Sequence, residues 1–206
     1  MLTTEYVEQL ESSLKSQPNN YALHVKLIKN LPKGTARLKS AREEFATRFP
    51  LTPTLWTEWI EDEEDDNVRT KLYERALDDY LDVNLYTSYL QHVFRCTNDL
   101  NESRQVYNKA LQRCALHFTK NALIWAIVID FEQRLLDRLG EEDEDEEEEV
   151  RQETRIRSLY MRWLRVPGTK LDVAMKLYEE FENENADSDE EAMRRIQEAR
   201  SHLETS

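Results

Sequence analysis

Glycine and proline are scarce in this 206-residue chain, which holds three and five of them respectively. An all-β fold needs many tight turns, and these two residues supply many of the turn conformations. With 39% hydrophobic and 34% charged residues, the composition instead suits an array of helices. We read no strand in the sequence and predict an all-α fold. The length allows one ordinary domain or one solenoid segment.

Long hydrophobic runs and cysteine are also lacking. No stretch approaches the roughly 18 apolar residues that a membrane helix needs, and the opening residues lack the basic flank and apolar core of a secretory signal. Cys96 and Cys114 are too few for a disulfide framework and show no CxxC spacing. We therefore expect a soluble, intracellular protein in a reducing compartment, with no membrane partner.

Catalytic motifs are missing too. The sequence contains no Gly-rich phosphate loop, no GxSxG elbow and no HExxH helix. His92 and Cys96 are four residues apart, a spacing that can hold a metal ion, but no second pair of ligands is near in sequence. A packing histidine and a buried thiol are the preferred interpretation. The sequence therefore predicts a protein that is not an enzyme and has no cofactor or metal site.

Basic charge is in the minority, with 28 lysines and arginines against 42 acidic residues and a formal net charge of -14. This balance disfavours a polyanion as a non-specific partner and favours a basic or neutral partner surface. Nine acidic residues in a row occupy positions 141–149, where self-repulsion predicts a disordered or frayed loop, or helix ends that extend into solvent. The run is either a tolerated loop insertion or a charge-driven interaction site, with Glu141, Glu142, Asp143, Glu144 and Asp145 as candidate residues.

An internal repeat organises what the chain does contain. The segment PTLWTEWIEDEEDDNVRTKLYERALDDYL at 53–81 predicts two amphipathic helices joined by a polar break at 65–67. Its first half, LWTEWIEDE at 55–63, aligns with LYTSYLQHV at 85–93 and IWAIVIDFE at 124–132. In its second half, LYERAL at 72–77 aligns with VYNKAL at 106–111 and LYMRWL at 159–164. Spacings of about 30 to 40 residues are typical of paired-helix solenoids.

The repeat defines corresponding aromatic and charged positions. They are Trp56, Trp59, Glu63, Tyr73, Tyr86, Tyr89, Arg104, Tyr107, Trp125, Glu132, Arg157 and Tyr160. Exposed tryptophans often anchor protein interfaces, but apolar residues at helical spacing more often mark a core face, so we predict that the aromatic residues pack between helices. We further hypothesise that some of the recurring glutamates and arginines pair between helices, because a half-buried charge needs a partner. These residues are Glu63, Glu132 and Glu182, and Arg42, Arg104 and Arg157.

Two aromatic residues three apart with a later glutamate, followed by RxxY and ERAL-like text, resemble the half-a-TPR (HAT) repeat of RNA-processing proteins. The resembling segments cover nearly the whole chain. They are YALHVKLIKNL, AREEFATRFPLTPTLWTEWIEDE, KLYERALDDYLDVNLYTSYLQ, SRQVYNKALQRCALHFTKNALIW and RIRSLYMRWLRVP. Their order is most similar to that of the N-terminal HAT array of the U4/U6 snRNP recycling factors.

This resemblance implies a right-handed α-solenoid of about five antiparallel helix pairs. Residues 1–17 would form an N-terminal helix that packs on the first repeat, and residues 18–184 the HAT solenoid with an acidic loop at 140–150. Residues 185–206 would form an acidic loop and a polar C-terminal helix. The resemblance also implies a protein of the nucleus (nucleoplasm) that binds proteins of the snRNP and splicing machinery and can form a homodimer. U6 snRNA would be reached only indirectly or through RNA-recognition domains, whose motifs are absent here.

The expected function is therefore a non-catalytic protein-interaction scaffold in pre-mRNA splicing, in U4/U6 snRNP assembly and recycling. Two alternatives stay open. One is another HAT-type RNA-processing scaffold, in splicing or 3′-end cleavage. The other is an acidic chaperone or decoy that holds basic proteins through its charge.

Overall fold

The computed structural model describes residues 4–142 and 146–204, and every regular element within those ranges is an α-helix, as predicted. The helices are α1 (Thr4–Ser16), α2 (Tyr21–Asn30), α3 (Ala36–Ala46), α4 (Pro53–Glu61), α5 (Asp66–Asp79), α6 (Val83–Cys96), α7 (Leu100–Cys114), α8 (Asn121–Glu142), α9 (Glu146–Leu164), α10 (Leu171–Asn185) and α11 (Asp189–Glu204). The chain divides into two compact units, and the division falls inside α6, after Leu85.

Polar side chains at the helix ends explain where the helices of the first unit begin. The Asn20 side chain accepts a hydrogen bond from the Leu23 N–H at 3.2 Å and caps α2. Thr35 and Asp65 cap α3 and α5 in the same way. Between α2 and α3 the chain turns at Gly34, whose φ of 73° is a conformation that residues with a Cβ rarely adopt.

The core of the first unit lies between neighbouring antiparallel helices. Helix α1 packs on α2, α2 on α3, and α4 on α5. Phe45 on α3 is fully buried and stacks on His24 of α2, with ring centroids 5.0 Å apart. His24 is itself buried and contacts the Pro18 carbonyl oxygen through Nε2 at 2.9 Å. Aromatic packing and one satisfied histidine therefore join α2 to α3.

The second unit repeats this antiparallel packing with longer helices. Helix α8 packs on both α7 and α9, α10 packs on both α9 and α11, and α11 also contacts α9. The buried side chains include Ile124 and Trp125 on α8, and Ile156, Tyr160 and Trp163 on α9, none of them more than 2% exposed. The α8–α9 hairpin is thus the centre of the core of this unit.

The acidic loop expected at 140–150 is helical in its described part, because α8 continues to Glu142 and α9 already begins at Glu146. Glutamate is a good helix former, and carboxylates in the first turn, such as those of residues 146–149, are stabilised by the positive end of the helix dipole. Of the sequence interpretations, helix ends that extend the hairpin fit the described part of the run. Asp143, Glu144 and Asp145 lie outside the described residues, as do the side chains of Glu141 and Glu142.

The length and the apolar character of helices α1 to α11 bear on whether any of them could span a membrane. None of these helices combines the length and the apolar character that crossing a bilayer requires.

Candidate functional site

The two tryptophans that define the repeat in the first unit are core residues. Trp56 and Trp59 are 2% and 3% exposed, and their rings stack with centroids 5.3 Å apart. The Trp56 indole N–H donates to the Asp79 carboxylate at 2.9 Å, and the Arg75 guanidinium lies 5.3 Å from the centroid of each ring. Because both indoles are buried and their faces are covered, neither serves as an exposed interface anchor.

The second unit builds a similar arrangement around Trp125. This residue is 1% exposed, and the Arg162 guanidinium lies 5.5 Å from its ring centroid. Arg162 holds the place in LYMRWL that Arg75 holds in LYERAL, so a cation covers the first-helix tryptophan in both units. The Trp125 indole N–H differs in having no hydrogen-bond partner within the described chain. Val166 stands where the first unit has its acceptor, Asp79.

The tyrosines at the predicted repeat positions are buried as well. Tyr73, Tyr86, Tyr89, Tyr107 and Tyr160 are all 9% exposed or less. Burial raises the pKa of Tyr160 to about 12 and that of Tyr107 further, so both stay protonated at neutral pH. Each hydroxyl can then donate a hydrogen bond inside the core, and the Tyr107 hydroxyl donates one to Glu132.

A buried carboxylate, Glu132 on α8, collects donors from two neighbouring helices. Arg104 on α7 donates to it twice, from Nε to Oε1 at 3.0 Å and from Nη2 to Oε2 at 2.9 Å. The Tyr107 hydroxyl donates to Oε1 at 2.7 Å, and Gln152 Nε2 on α9 donates to Oε2 at 2.7 Å. Glu132 is 0% exposed, so these four bonds replace the water that the carboxylate loses on folding.

The hydrogen bonds also decide the charge of this group. Burial alone would raise the pKa of Glu132, but the bonds from Arg104, Gln152 and Tyr107 outweigh it and hold that pKa below the usual range. The carboxylate is therefore ionised at neutral pH. With its oxygens occupied and no exposed surface, it links α7, α8 and α9 and is closed to an outside ligand.

Glu182 on α10 forms a second cluster of the same kind. Arg157 on α9 donates from Nε to both carboxylate oxygens, at 3.1 and 3.2 Å, and Arg195 on α11 reaches Oε2 at 3.2 Å. Arg157 also pairs with Glu153 at 2.9 Å and donates to the Asn185 carbonyl oxygen at 3.2 Å. Glu182 is 0% exposed, so this cluster joins α9, α10 and α11 as the first joins α7 to α9.

In the first unit the pairing is shifted by one residue. Arg42 on α3 pairs with Asp62 at 2.6 Å, whereas the hypothesis paired recurring arginines with recurring glutamates. Glu63, the glutamate of this repeat, instead pairs with Lys39 at 2.8 Å. The reason is local, because α4 ends at Glu61 and Glu63 lies beyond the helix, while Glu132 lies inside α8. Asp62 therefore pairs with the recurring arginine here, as Glu132 and Glu182 do in the second unit.

Sequence reasoning missed several members of these clusters. Gln152 and Arg195 complete the two buried carboxylate sites, yet neither falls at an aligned repeat position. The only available signal for Arg195 was its place in a polar helix that follows a recurring glutamate. Gln152 lies three residues after the acidic run and just beyond the loop that the sequence predicted at 140–150.

The His92 and Cys96 pair departs from its expected burial. His92 is 4% exposed, as a packing histidine should be, but Cys96 is exposed. Cys96 is the last residue of α6, where the side chain is free of the packing that a mid-helix thiol meets. The Cys96 sulfur lies 3.6 Å from His92 Nδ1. The expectation of a buried thiol was therefore wrong for Cys96.

Antiparallel helices with equivalent buried aromatic residues, joined from one pair to the next by arginine–carboxylate bonds, define a helical-repeat protein. The family model of the Suppressor of forked protein (Suf) matches residues 5–204. The chain therefore belongs to the Suf family of half-a-TPR repeat proteins, as the resemblance in sequence indicated.

Curated relatives give this family its context. The "Spliceosome associated factor 3, U4/U6 recycling protein" of Mus musculus is 30% identical over 190 residues, which cover 86% of this chain and 18% of the relative. The protein of the same name in Danio rerio is 31% identical over 179 residues, 78% of this chain and 19% of the relative. The "mRNA 3'-end-processing protein rna14" of Schizosaccharomyces pombe is 25% identical over 191 residues, 88% of this chain and 25% of the relative. The chain spans a quarter or less of the length of these relatives.

Proposed function

We propose that this chain is a non-catalytic protein-interaction scaffold of nuclear pre-mRNA processing, acting in U4/U6 snRNP assembly and recycling. The observation that carries the proposal is the match to two U4/U6 recycling proteins over 78% or more of the chain. The helix pairs, about five of them, would form a right-handed solenoid that presents one extended surface to proteins of the splicing machinery.

The buried charge clusters support a scaffold over a catalyst. Glu132 and Glu182 are the carboxylates best placed for acid–base chemistry by their burial, yet arginine and other donors occupy their oxygens. A general acid or base must reach the proton that it transfers, so these groups serve the stability of the helix stack. Function then falls to the exposed surfaces of the repeats.

A second candidate is a scaffold of mRNA 3′-end processing. The similarity to rna14 over 88% of the chain favours it, although at 25% the identity is lower than for the U4/U6 recycling proteins. Both candidates use the same helical-repeat architecture, so they differ in the partner that is bound and not in the kind of surface.

Affinity purification of the tagged full chain from nuclear extract, with and without RNase, tests the proposal. We expect snRNP proteins to be recovered in both conditions and U6 snRNA only without RNase treatment, through those proteins. Recovery of 3′-end cleavage factors in place of snRNP proteins would favour the second candidate. A partner set that is purely cytoplasmic would refute both.

A further inference from the structure

Two neighbouring loops form one end of the α8–α9 hairpin in the second unit. The loop between α7 and α8 (residues 115–120) is fastened to the loop between α9 and α10 (residues 165–170), because the Thr169 N–H donates to the Phe118 carbonyl oxygen at 3.1 Å. The Asn121 side chain donates to the Pro167 carbonyl oxygen at 3.4 Å and packs against Gly168. We call residues 113–123 and 162–173 the loop end of the hairpin.

The loop end exposes apolar side chains that a helical-repeat core would normally bury. Leu116 is 76% exposed, Phe118 60%, Leu123 47% and Val173 40%. All four lie in the two fastened loops or in the first turn of the helix that follows each loop. Several exposed apolar side chains grouped at one place mark an interaction surface more often than single ones do.

The same surface is basic in a chain that is strongly acidic. The loop end holds five cations and one carboxylate, Asp172, a net charge of +4 in a chain of -14. The cations are Arg113, Lys120, Arg162, Arg165 and Lys170. Among the described residues no ion pair joins any of these five to a carboxylate, whereas the arginines of the buried clusters are all paired.

Unpaired cations beside exposed apolar side chains select a partner that carries both negative charge and apolar groups. Opposite charge steers the encounter and fixes the orientation, and burial of the leucines and the phenylalanine supplies the free energy of binding. A single-stranded RNA would use the cations but would stack its bases on aromatic rings, and three of the four exposed apolar side chains are aliphatic. A second copy of this chain could offer its acidic run at 141–149, but that run contains no apolar residue to cover Leu116 or Phe118.

We propose that the loop end is a docking surface for an acidic segment of a partner protein, one in which aspartates and glutamates alternate with leucine or aromatic side chains. The inference rests on the proposed function, because it names the chemistry of a partner for the scaffold. It also reverses the expectation from the net charge, which favoured basic or neutral partners.

A phage-displayed library of random 16-residue peptides, selected on the full chain, tests the proposal. A chain of net charge -14 should enrich basic peptides if only the overall charge acts. We expect instead a class of acidic peptides with leucine, phenylalanine or tryptophan. Fluorescence polarisation of one labelled peptide of that class then measures its affinity for the variants described next.

Charge reversal at the loop end has a matched control in the first unit. We expect Arg165→Glu with Lys170→Glu to weaken binding roughly tenfold or more, because two attractive contacts become repulsive. Lys26→Glu with Lys29→Glu changes the net charge by the same amount at exposed lysines of α2, and we expect it to alter binding less than about twofold.

Apolar substitutions separate burial from charge. We expect Leu116→Ser with Phe118→Ser to weaken binding roughly tenfold or more, and Met193→Ser, at a side chain that is 61% exposed on α11, to leave it unchanged. Circular dichroism of each variant shows that the helices persist.

Three outcomes would overturn the inference. In the first, only basic peptides are enriched, or the control variants weaken binding as much as those at the loop end. In the second, a labelled 12-nucleotide RNA binds at the loop end and no peptide does. In the third, analytical ultracentrifugation finds an oligomer of the chain that the loop-end variants dissociate. The pull-down from nuclear extract remains independent, since snRNP proteins could bind elsewhere on the chain while the loop end fails this test.

Discussion

Glu132 offers the sharpest test of how the repeat is held together. Glu132→Gln keeps the size of the side chain but removes its charge, and the new amide N–H groups face donors from Arg104, Tyr107 and Gln152. Removing one partner of a buried ion pair costs about 3–5 kcal/mol, because the other charge is left uncompensated. The Arg104 side chain is 20% exposed, so water relieves part of that cost. We therefore expect a loss near the lower end, about 3 kcal/mol.

The same helix supplies a matched control. Asp130 on α8 pairs with Arg134 at 2.9 Å, and the two side chains are 54% and 74% exposed. Exposed pairs contribute between nothing and about 1 kcal/mol, so Asp130→Asn should change stability by no more than a few tenths of a kcal/mol. Urea unfolding followed by circular dichroism measures both variants, and hydrogen exchange of residues 121–142 shows whether the loss is centred on α8.

Acid should remove the difference between wild type and the Glu132→Gln variant. The pKa of Glu132 is lowered in the folded state, because the hydrogen bonds from Arg104, Gln152 and Tyr107 outweigh burial. A group with a lowered folded pKa stabilises the protein above its unfolded pKa of about 4.3, and that contribution is lost as the pH falls toward the folded value. The loss caused by the substitution should be complete at pH 7 and should shrink progressively below about pH 4.3. If Glu132→Gln costs no more than Asp130→Asn at pH 7, or if its cost is the same at pH 3.5, the buried cluster does not stabilise this unit.

Two further predictions each compare the same substitution at two positions. Gly168→Ala should destabilise the chain by about 1–3 kcal/mol, because the new Cβ would lie 2.8 Å from Asn121 Nδ2. Gly140→Ala, in helix α8, should instead stabilise the chain by up to about 1 kcal/mol, because the nearest atom to its Cβ is 3.8 Å away. Thermal unfolding measures both changes. Trp56→Phe should lower the free energy of unfolding in urea by about 1 kcal/mol more than Trp125→Phe, because of the two residues only Trp56 donates its indole N–H to a carboxylate. Equal losses would show that this hydrogen bond does not stabilise the first unit.

The helices and their order were predictable because the signals are local. Pro53 at the start of α4 and the caps at Asn20 and Thr35 mark helix ends in the sequence itself. The aligned aromatic positions also predicted which side chains are buried, since a period of three to four residues fixes the inward face of a helix. The same alignment predicted that some recurring arginines and glutamates pair between helices, but it did not assign Arg104 to Glu132 or Arg157 to Glu182.

What sequence could not supply depends on where a helix stops or which segments meet in space. Glu63 does not pair with Arg42, because α4 ends two residues before Glu63. The sequence pattern alone locates a helix end only to within about two residues. Gln152 joined the Glu132 cluster through packing of α9 on α8, which no repeat position announces. The net charge of -14 describes the whole chain and gave no sign of the local charge of +4 at the loop end.

The position of the arginine–carboxylate bonds has a consequence for how the helices are aligned. Arg104 on α7 reaches Glu132 on α8, and Arg157 on α9 reaches Glu182 on α10, so each bond joins the second helix of one pair to the first helix of the next. Apolar surfaces tolerate several packings at similar free energy. A slip by one helical turn, about 5.4 Å, would leave a fully buried carboxylate without its donors.

These junction bonds therefore set the register of neighbouring helix pairs, while the aromatic residues supply most of the burial. The first unit supports this division of roles, because the junction of α3 and α4 keeps a buried arginine–carboxylate bond although the carboxylate has moved from a glutamate to Asp62. The three junctions share an arginine–carboxylate bond but not the same acidic residue. This is the result expected if the fold requires a fixed register and does not require one particular residue. The loop end gathers four cations that take part in no such bond within the described residues, Arg113, Lys120, Arg165 and Lys170, besides Arg162, which covers Trp125.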